Sequence, residues 1–298
     1  MSQQSVLDVQ DLYVTFHQDK KSAELVKGVS FSVAPGECLG ILGESGSGKS
    51  MTAKAMLGLL DRSFEVRGKV FFQGESLLEK DADALRRLRG SRICMVLQNP
   101  MSCFDPLYRI GAQMAETFEE HTDWSSAEIR TKSIEVLKLM KIRDPEDVLR
   151  KYPHQMSGGM LQRVCIARAV ALKPRFILLD EAISSLDAAT QIQVMDLLKD
   201  LRRELNLSYV FITHDLTAIT YFCDRVRFLH NGSFVEAVDD MSRIGDIRNA
   251  YARDLLRAVM GIGIHGAPDP EAEARMERDE EIGTPHGDVM HVQGQVLY

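Results

Sequence analysis

The sequence has no apolar run approaching the length of a membrane span, and its N-terminus carries no signal-peptide architecture. The chain is therefore expected to work in the cytosol, with docking on a membrane protein left open. A basic excess is also missing: 36 Lys and Arg against 43 Asp and Glu give a formal charge of −7. Non-specific affinity for a phosphate backbone needs a basic surface, so nucleic acid is not expected as a partner. The five cysteines, at 38, 94, 103, 165 and 223, include no C-x-x-C pair and form no disulfide framework. Cys38, Cys94 and Cys165 sit in apolar runs and read as small buried hydrophobes. No internal repeat and no long coiled-coil pattern is present. What remains is an ordinary globular composition, 45% hydrophobic and 27% charged over 298 residues, which suits one large domain or two closely joined ones.

The most constrained stretch is Gly43-Glu44-Ser45-Gly46-Ser47-Gly48-Lys49-Ser50, which satisfies G-x-x-x-x-G-K-[ST] at every fixed position. Glu37 to Leu42 before it is a short apolar run that reads as a buried strand; Met51 to Leu60 after it is helix-compatible. Glycines let backbone N–H groups curl around phosphate oxygens, and the helix N-terminus adds the positive end of its dipole. The cradle is expected to run from Gly43 through Met51, with Lys49 reaching the β- and γ-phosphates and the Ser50 hydroxyl on Mg²⁺. The pattern implies a bound nucleoside triphosphate.

Around this loop the chain alternates. Residues 6–16 and Val29 to Val33 read as strands, with the polar stretch Gln18 to Glu24 as the hairpin loop between them. Gly68 to Phe72 adds a strand, Asp81 to Arg89 a charged helix, and Ile93 to Leu97 an apolar strand that stops at Gln98-Asn99-Pro100. The next seventy or so residues change character: Ile110 to Glu120, Ser125 to Lys141 and Pro145 to Lys151 carry helical spacing and almost no strand signal, with Asp123 and Ser125 as candidate N-caps. From Phe176 strands and helices alternate again, with strands at 176–179, 209–212 and 226–229, a helix over 187–205 and a hairpin turn at Asn231-Gly232. Asp246 to Met260 reads as a last helix. Beyond Gly261 the composition is rich in Gly, Pro and Glu and is expected to be poorly ordered.

Two further clusters carry chemistry. Phe176-Ile177-Leu178-Leu179-Asp180-Glu181 places two carboxylates at the end of a buried strand, where Asp180 suits Mg²⁺ and Glu181 suits polarising an attacking water. Ser157-Gly158-Gly159-Met160 opens a helix and offers a hydroxyl, unpaired N–H groups and a dipole to a second anion. Two separated anion-binding helix starts suggest one ligand shared between two copies.

With these motifs in this order, residues 5–260 resemble the nucleotide-binding subunit of an ATP-binding cassette (ABC) transporter. The resemblance implies an α/β fold: a P-loop NTPase core of ABC type with an antiparallel β subdomain and an inserted helical subdomain. It assigns 5–97 and 173–235 to the core with its β layer, 98–172 to the helical signature subdomain and 236–260 to a helical extension, leaving 261–298 as a flexible tail. It implies ATP and Mg²⁺ as cofactors, ATP hydrolysis, and a signature at Ser157, Gly158, Gly159 and Met160 that meets the γ-phosphate held by the other subunit. By the same resemblance Gln98 contacts Mg²⁺ and water and senses the membrane partner. Asp187 lies across the dimer, His214 contacts the γ-phosphate, and Phe16, with Tyr13 as the alternative, stacks on adenine. The implied partners are integral-membrane permeases, a second ATPase subunit (copy or paralogue) and, indirectly, an extracytoplasmic solute-binding protein. The implied location is the cytoplasmic face of the inner membrane.

Departures narrow the branch. Ala182-Ile183 stands where Pro-Thr is usual after the catalytic glutamate, and Met160 where the signature usually has glutamine. Tyr152 to Arg163, Leu97 to Leu107 and Tyr251-Ala252-Arg253-Asp254-Leu255-Leu256 resemble the peptide and nickel importers. Asp180-Glu181-Ala182, Met160-Leu161-Gln162 and the absence of a C-terminal cysteine cluster favour nickel or a metal chelate, with di- or oligopeptide as the alternative cargo. A soluble, non-transport ABC ATPase is the alternative of another class; the missing second cassette and coiled coil argue against it. His265, His286 and His291 are too scattered in sequence to form a recognised metal site.

Overall fold

The computed structural model describes residues 5–18 and 21–260, and the side chains of these except 259 and 260. Two sheets are built on either side of a shared core. The first is antiparallel, in the order β2-β1-β4-β5, from β1 (Leu7–Gln18), β2 (Lys21–Val33), β4 (Phe64–Phe72) and β5 (Glu75–Ser76). The second has the order β10-β9-β3-β8-β7-β6, from β3 (Cys38–Leu42), β6 (Ile93–Val96), β7 (Phe176–Asp180), β8 (Ser208–Thr213), β9 (Arg225–His230) and β10 (Ser233–Val238). All its neighbours run parallel except the edge pair β9–β10. Strands β3, β7 and β8 are buried at every residue, which is why they read as unbroken apolar runs. Side chains alternate across that sheet: Phe176 and Leu178 join the core under the antiparallel layer, while Ile177 and Leu179 join the core under the helices.

Helix α1 (Lys49–Met56) follows β3 directly, and α2 (Ala82–Leu88) precedes β6. Between β6 and β7 stand α3 (Ile110–Glu119), α4 (Ser126–Leu139), α5 (Pro145–Arg150) and α6 (Gly158–Val170), with no strand, as the spacing predicted. Ser125 closes a capping box with Glu128 and so sets the start of α4, whereas Asp123 does not cap it. Helices α7 (Ala188–Leu205), α8 (Leu216–Phe222) and α9 (Ala250–Met260) complete the set. All five cysteines are buried, as expected for Cys38, Cys94 and Cys165 from their apolar runs.

Two local expectations are corrected. Lys21 to Glu24 is strand rather than loop: Glu24 pairs with Thr15 and Ala23 with Phe16. An exposed ladder needs backbone partners, not apolar alternation, so polarity alone misreads it; residues 19 and 20 lie outside the described set. The last helix starts at Ala250 rather than Asp246, because the Glu236 carboxylate accepts the N–H groups of Arg248 and Asn249 at 2.8 Å each and holds that segment out of the helix. The expected tail, 261–298, with His265, His286 and His291, lies outside the described residues.

The register decides where chemistry can occur. Leu42 pairs with Thr213 and Asp180 with Ile212, so β3, β7 and β8 end at one level. Gly43, Glu181 and His214 emerge together at the carboxyl edge of the sheet, the place where open α/β sheets bind ligands.

Candidate functional site

The loop between β3 and α1 bends through two left-handed glycines, Gly46 at φ 79° and Gly48 at φ 104°. At Gly43 the backbone packs so tightly that a Cβ would stand 2.3 Å from the Leu229 carbonyl oxygen. This loop borders a cleft of about 660 Å³, which Lys49, Ser50, Gln98, Asp180, Glu181 and Gly232 also line. Lys49 is 5% exposed, and its ammonium donates to the Gly43 and Glu44 carbonyls at 2.7 Å each. Burial lowers its pKa, opposed by Glu181 and Asp180; the Glu181 carboxylate is 4.0 Å away. Ser50 donates to Asp180 at 3.1 Å. Burial raises the Asp180 carboxyl, with the Ser50 hydrogen bond acting against it and the neighbouring Glu181 charge adding to it.

Glu181 leaves β7 in a left-handed conformation, φ 49°, rare for a residue with a side chain. Its N–H donates to the Ile212 carbonyl at 2.8 Å, and its carboxylate lies 3.6 Å from Nδ1 of His214. The turn therefore aims a carboxylate back over the loop between a lysine and a histidine. Gln98, two residues past β6, reaches the same cleft, and its carbonyl accepts from Ser185 at 3.2 Å. The donor set suits a hard cation bound with phosphate: a hydroxyl and a carboxylate in contact, an amide nearby, and an ammonium for the anion. Ser47 points a buried hydroxyl with no partner into the same loop.

Other residues singled out from the sequence stand apart from the cleft. Ser157 caps α6, its hydroxyl accepting from the Met160 N–H at 3.3 Å, and neither Ser157 nor Gly158 lines the cleft. Asp187 caps α7 by accepting from the Thr190 N–H at 3.0 Å and its hydroxyl at 2.7 Å. Phe16 rests against Phe64, ring centroids 5.0 Å apart, and Tyr13 lies under the Arg67 guanidinium at 5.3 Å; neither lines the cleft. The sequence reading missed Lys27, which lines the cleft, and took Asn231-Gly232 only as a turn although both residues line it. It took Tyr251 only as part of a branch motif and missed its contact with the loop: the phenol oxygen accepts from the Glu44 N–H at 3.0 Å. Proximity across such sequence distances leaves no local pattern to read.

The family model described as ABC transporter matches residues 26–184, which spans the phosphate loop, Gln98, the helical segment, the α6 start and Asp180-Glu181. The chain belongs to the ABC transporter family. It is the ATP-binding ATPase component, coupled to transport. It is 41% identical over 257 residues to the peptidoglycan transport ATP-binding protein YejF of Agrobacterium fabrum, covering 86% of this chain but 47% of that protein. The metal-staphylopine import system ATP-binding protein CntD of Staphylococcus aureus is 39% identical over 241 residues, with 81% of this chain and 89% of CntD covered. The oligopeptide transport ATP-binding protein OppD of Escherichia coli is 37% identical over 262 residues, with 88% and 78% covered. Among solved structures, the dimeric post-hydrolysis state of the ATP-binding cassette MJ0796 bound to ADP and Pi superposes with a TM-score of 0.69. It is 28% identical and covers 78% of this chain and 97% of that one. The ABC-type P-loop fold, with its antiparallel layer and helical segment, is thereby established. Among the described residues no helix is long and apolar enough to cross a membrane.

Proposed function

We propose that this chain is the ATP-hydrolysing subunit of an importer, working as one of two ATPase subunits that close around nucleotide. The observation that carries the reading is the cluster at one cleft: Lys49 and Ser50 at the loop, Asp180 in hydrogen-bond contact with Ser50, and Glu181, which lines the cleft and stands between Lys49 and His214 beyond its lining. ATP binds with its phosphates on the loop from Gly43 to Met51, of which Ser45, Gly46, Gly48, Lys49, Ser50 and Met51 line the cleft, and Lys49 gives up its loop carbonyls to pair with the β- and γ-phosphates. Ser50, Asp180 and Gln98 would hold Mg²⁺, which would supply neutralisation of phosphate charge. The Glu181 carboxylate orients water and accepts its proton, while His214 steadies that carboxylate and meets the γ-phosphate. This is catalysis by positioning and charge stabilisation.

The helical segment 98–172 then has two duties. The α6 start at Ser157 to Met160 is the half-site for nucleotide on the other subunit, with Asp187 facing the same junction. Exposed Met101, Leu107 and Tyr108 beside Gln98 form the contact with the permease, and Phe16 offers the adenine platform. The permease places the chain at the cytoplasmic face of the inner membrane and takes cargo from a solute-binding protein. That cargo is a peptide or a metal chelate, in keeping with what OppD and CntD are named for; nickel is the metal that the motif departures favour. ATP turnover by the purified chain, alone and with permease, tests the motor: activity abolished by Glu181→Gln supports it, and undiminished activity overturns it. Uptake of labelled nickel against labelled dipeptide in cells lacking the chain separates the cargoes.

A further inference from the structure

The phosphate loop has a support that lies far outside the segment matched by the family model. The backbone N–H of Glu44 donates to the Tyr251 phenol oxygen across 207 sequence positions. Neither Glu44 nor Tyr251 lines the cleft, so this bond holds the loop without blocking it. The phenol is itself fixed by the fold. Its ring lies on His230 at the end of β9, centroids 4.1 Å apart. One residue on, Ala252 is completely buried. Immediately before α9, the Glu236 carboxylate accepts from Arg248 and Asn249 and ties the helix start to β10. Two elements therefore aim one oxygen at one amide.

The same residue is held at its carbonyl as well. The Glu44 C=O accepts from Lys49 at 2.7 Å, as does the Gly43 C=O. Farther along, the Ser47 C=O accepts from the Gly232 N–H at 2.9 Å, so the β9–β10 hairpin braces the second half of the loop. When Lys49 turns to phosphate it releases both carbonyls at the start of the loop; the Glu44 C=O then keeps only the Ser47 N–H, at 3.3 Å and within the loop itself, and the bond to Tyr251 is what ties Glu44 to the rest of the fold. A binding loop fixed before its ligand arrives loses less conformational freedom on binding.

We propose that Tyr251 is a positioning residue for nucleotide binding: by holding the Glu44 amide it presets the phosphate loop, so that α9 raises nucleotide affinity without touching nucleotide. This rests on the reading that Gly43 to Ser50 takes the phosphates of ATP. Burial raises the Tyr251 pKa, against the opposing effect of the Glu44 N–H, so the group is a neutral phenol across the working pH range.

Tyr251→Phe keeps the ring on His230 and removes only the acceptor. Calorimetry of the full chain with ATP·Mg²⁺ and ADP·Mg²⁺ should show about fivefold weaker binding of both, the size of one neutral hydrogen bond. KM for ATP should rise by a similar factor, with kcat unchanged and the melting temperature lowered by no more than about 4 °C, since the free chain loses the same single hydrogen bond. Glu44→Pro removes the donor instead, at a position whose φ is not left-handed. In that background Tyr251→Phe should have no further effect on affinity. Unchanged affinity in Tyr251→Phe overturns the proposal. So does an affinity loss accompanied by a fall in kcat or by a fall in melting temperature beyond about 4 °C, and so does an equal loss in the Glu44→Pro background. A wild-type chain that binds no nucleotide is a different failure, seen before any substitution is made; it removes the nucleotide reading and this inference with it.

Discussion

Two helix starts in this chain share a recipe, glycines followed by free N–H groups, and differ in their surroundings. The start of α1 is walled: Lys49 is bound to loop carbonyls, Ser50 to Asp180, and Gly232 to the Ser47 carbonyl, around a cleft of about 660 Å³. The start of α6 is open on its Ser157-Gly158 side: both residues are exposed, and a Cβ built on Gly158 would meet nothing within 4 Å, whereas Gly159 backs onto α7, 2.7 Å from Thr190 by the same measure. The contrast teaches what a helix dipole can do alone. An anion site needs walls that exclude water and fix the ligand, and the dipole is only one contribution to it. At Ser157 and Gly158 the α6 start faces no wall of its own chain, which is the physical reason for assigning its partner surface to another subunit.

Substitutions on each side should break this comparison in different ways. The largest effect is expected at the walled half. Glu181→Gln should lower turnover by at least about a hundredfold, the scale of losing a general base, with ATP affinity retained in calorimetry. Ser157→Arg at the open half should likewise lower turnover by about a hundredfold, because it fills the anion-facing helix start. It should leave ATP affinity of the isolated chain within about twofold, since nothing in this chain's own cleft is touched. Loss of affinity there would mean that α6 belongs to the same cleft as α1. Asp187→Ala removes the cap of α7 and should destabilise the fold by about 1 kcal/mol in denaturant titration. A much larger fall in turnover than in stability would add the proposed role at the subunit junction.

The smallest effect concerns charge in the walled half. Burial raises the Asp180 pKa from its ordinary value, so the folded chain holds that proton to higher pH than the unfolded chain does. Ionising Asp180 therefore costs stability as pH rises through the window between the ordinary and the raised value. Asp180→Asn should raise the melting temperature of the nucleotide-free chain at neutral pH by a small amount and flatten its dependence in that window. A lower melting temperature would mean that the charge is favourably paired even without nucleotide.

The sequence carried the walled half nearly whole, and the open half only in part. Gly43 to Ser50 and Phe176 to Glu181 are contiguous, and their residue types follow from backbone curvature and strand burial. Parallel strands buried on both faces announce themselves as apolar runs, which is why β3, β7 and β8 were legible. The left-handed turn at Glu181 was not, because a glutamate at φ 49° has no compositional marker. Nor was Arg168, buried between the Cys103 carbonyl at 3.1 Å and Thr117 at 3.4 Å, its pKa pulled down by burial to about 10. It ties α6 to the turn after Gln98 and so links the open half to the edge of the walled one. Contacts of this kind join residues tens of positions apart through tertiary packing. The same holds for Tyr251 and Glu44.

The most direct measurement is turnover of an equimolar mixture of two inactive variants, Lys49→Ala and Ser157→Arg, at concentrations where subunits pair. In a mixed pair one composite site combines the intact phosphate loop of the Ser157→Arg chain with the intact α6 start of the Lys49→Ala chain. The expected result is ATPase activity in the mixture well above that of either variant alone. A mixture as inactive as its two components would contradict a site shared between two copies.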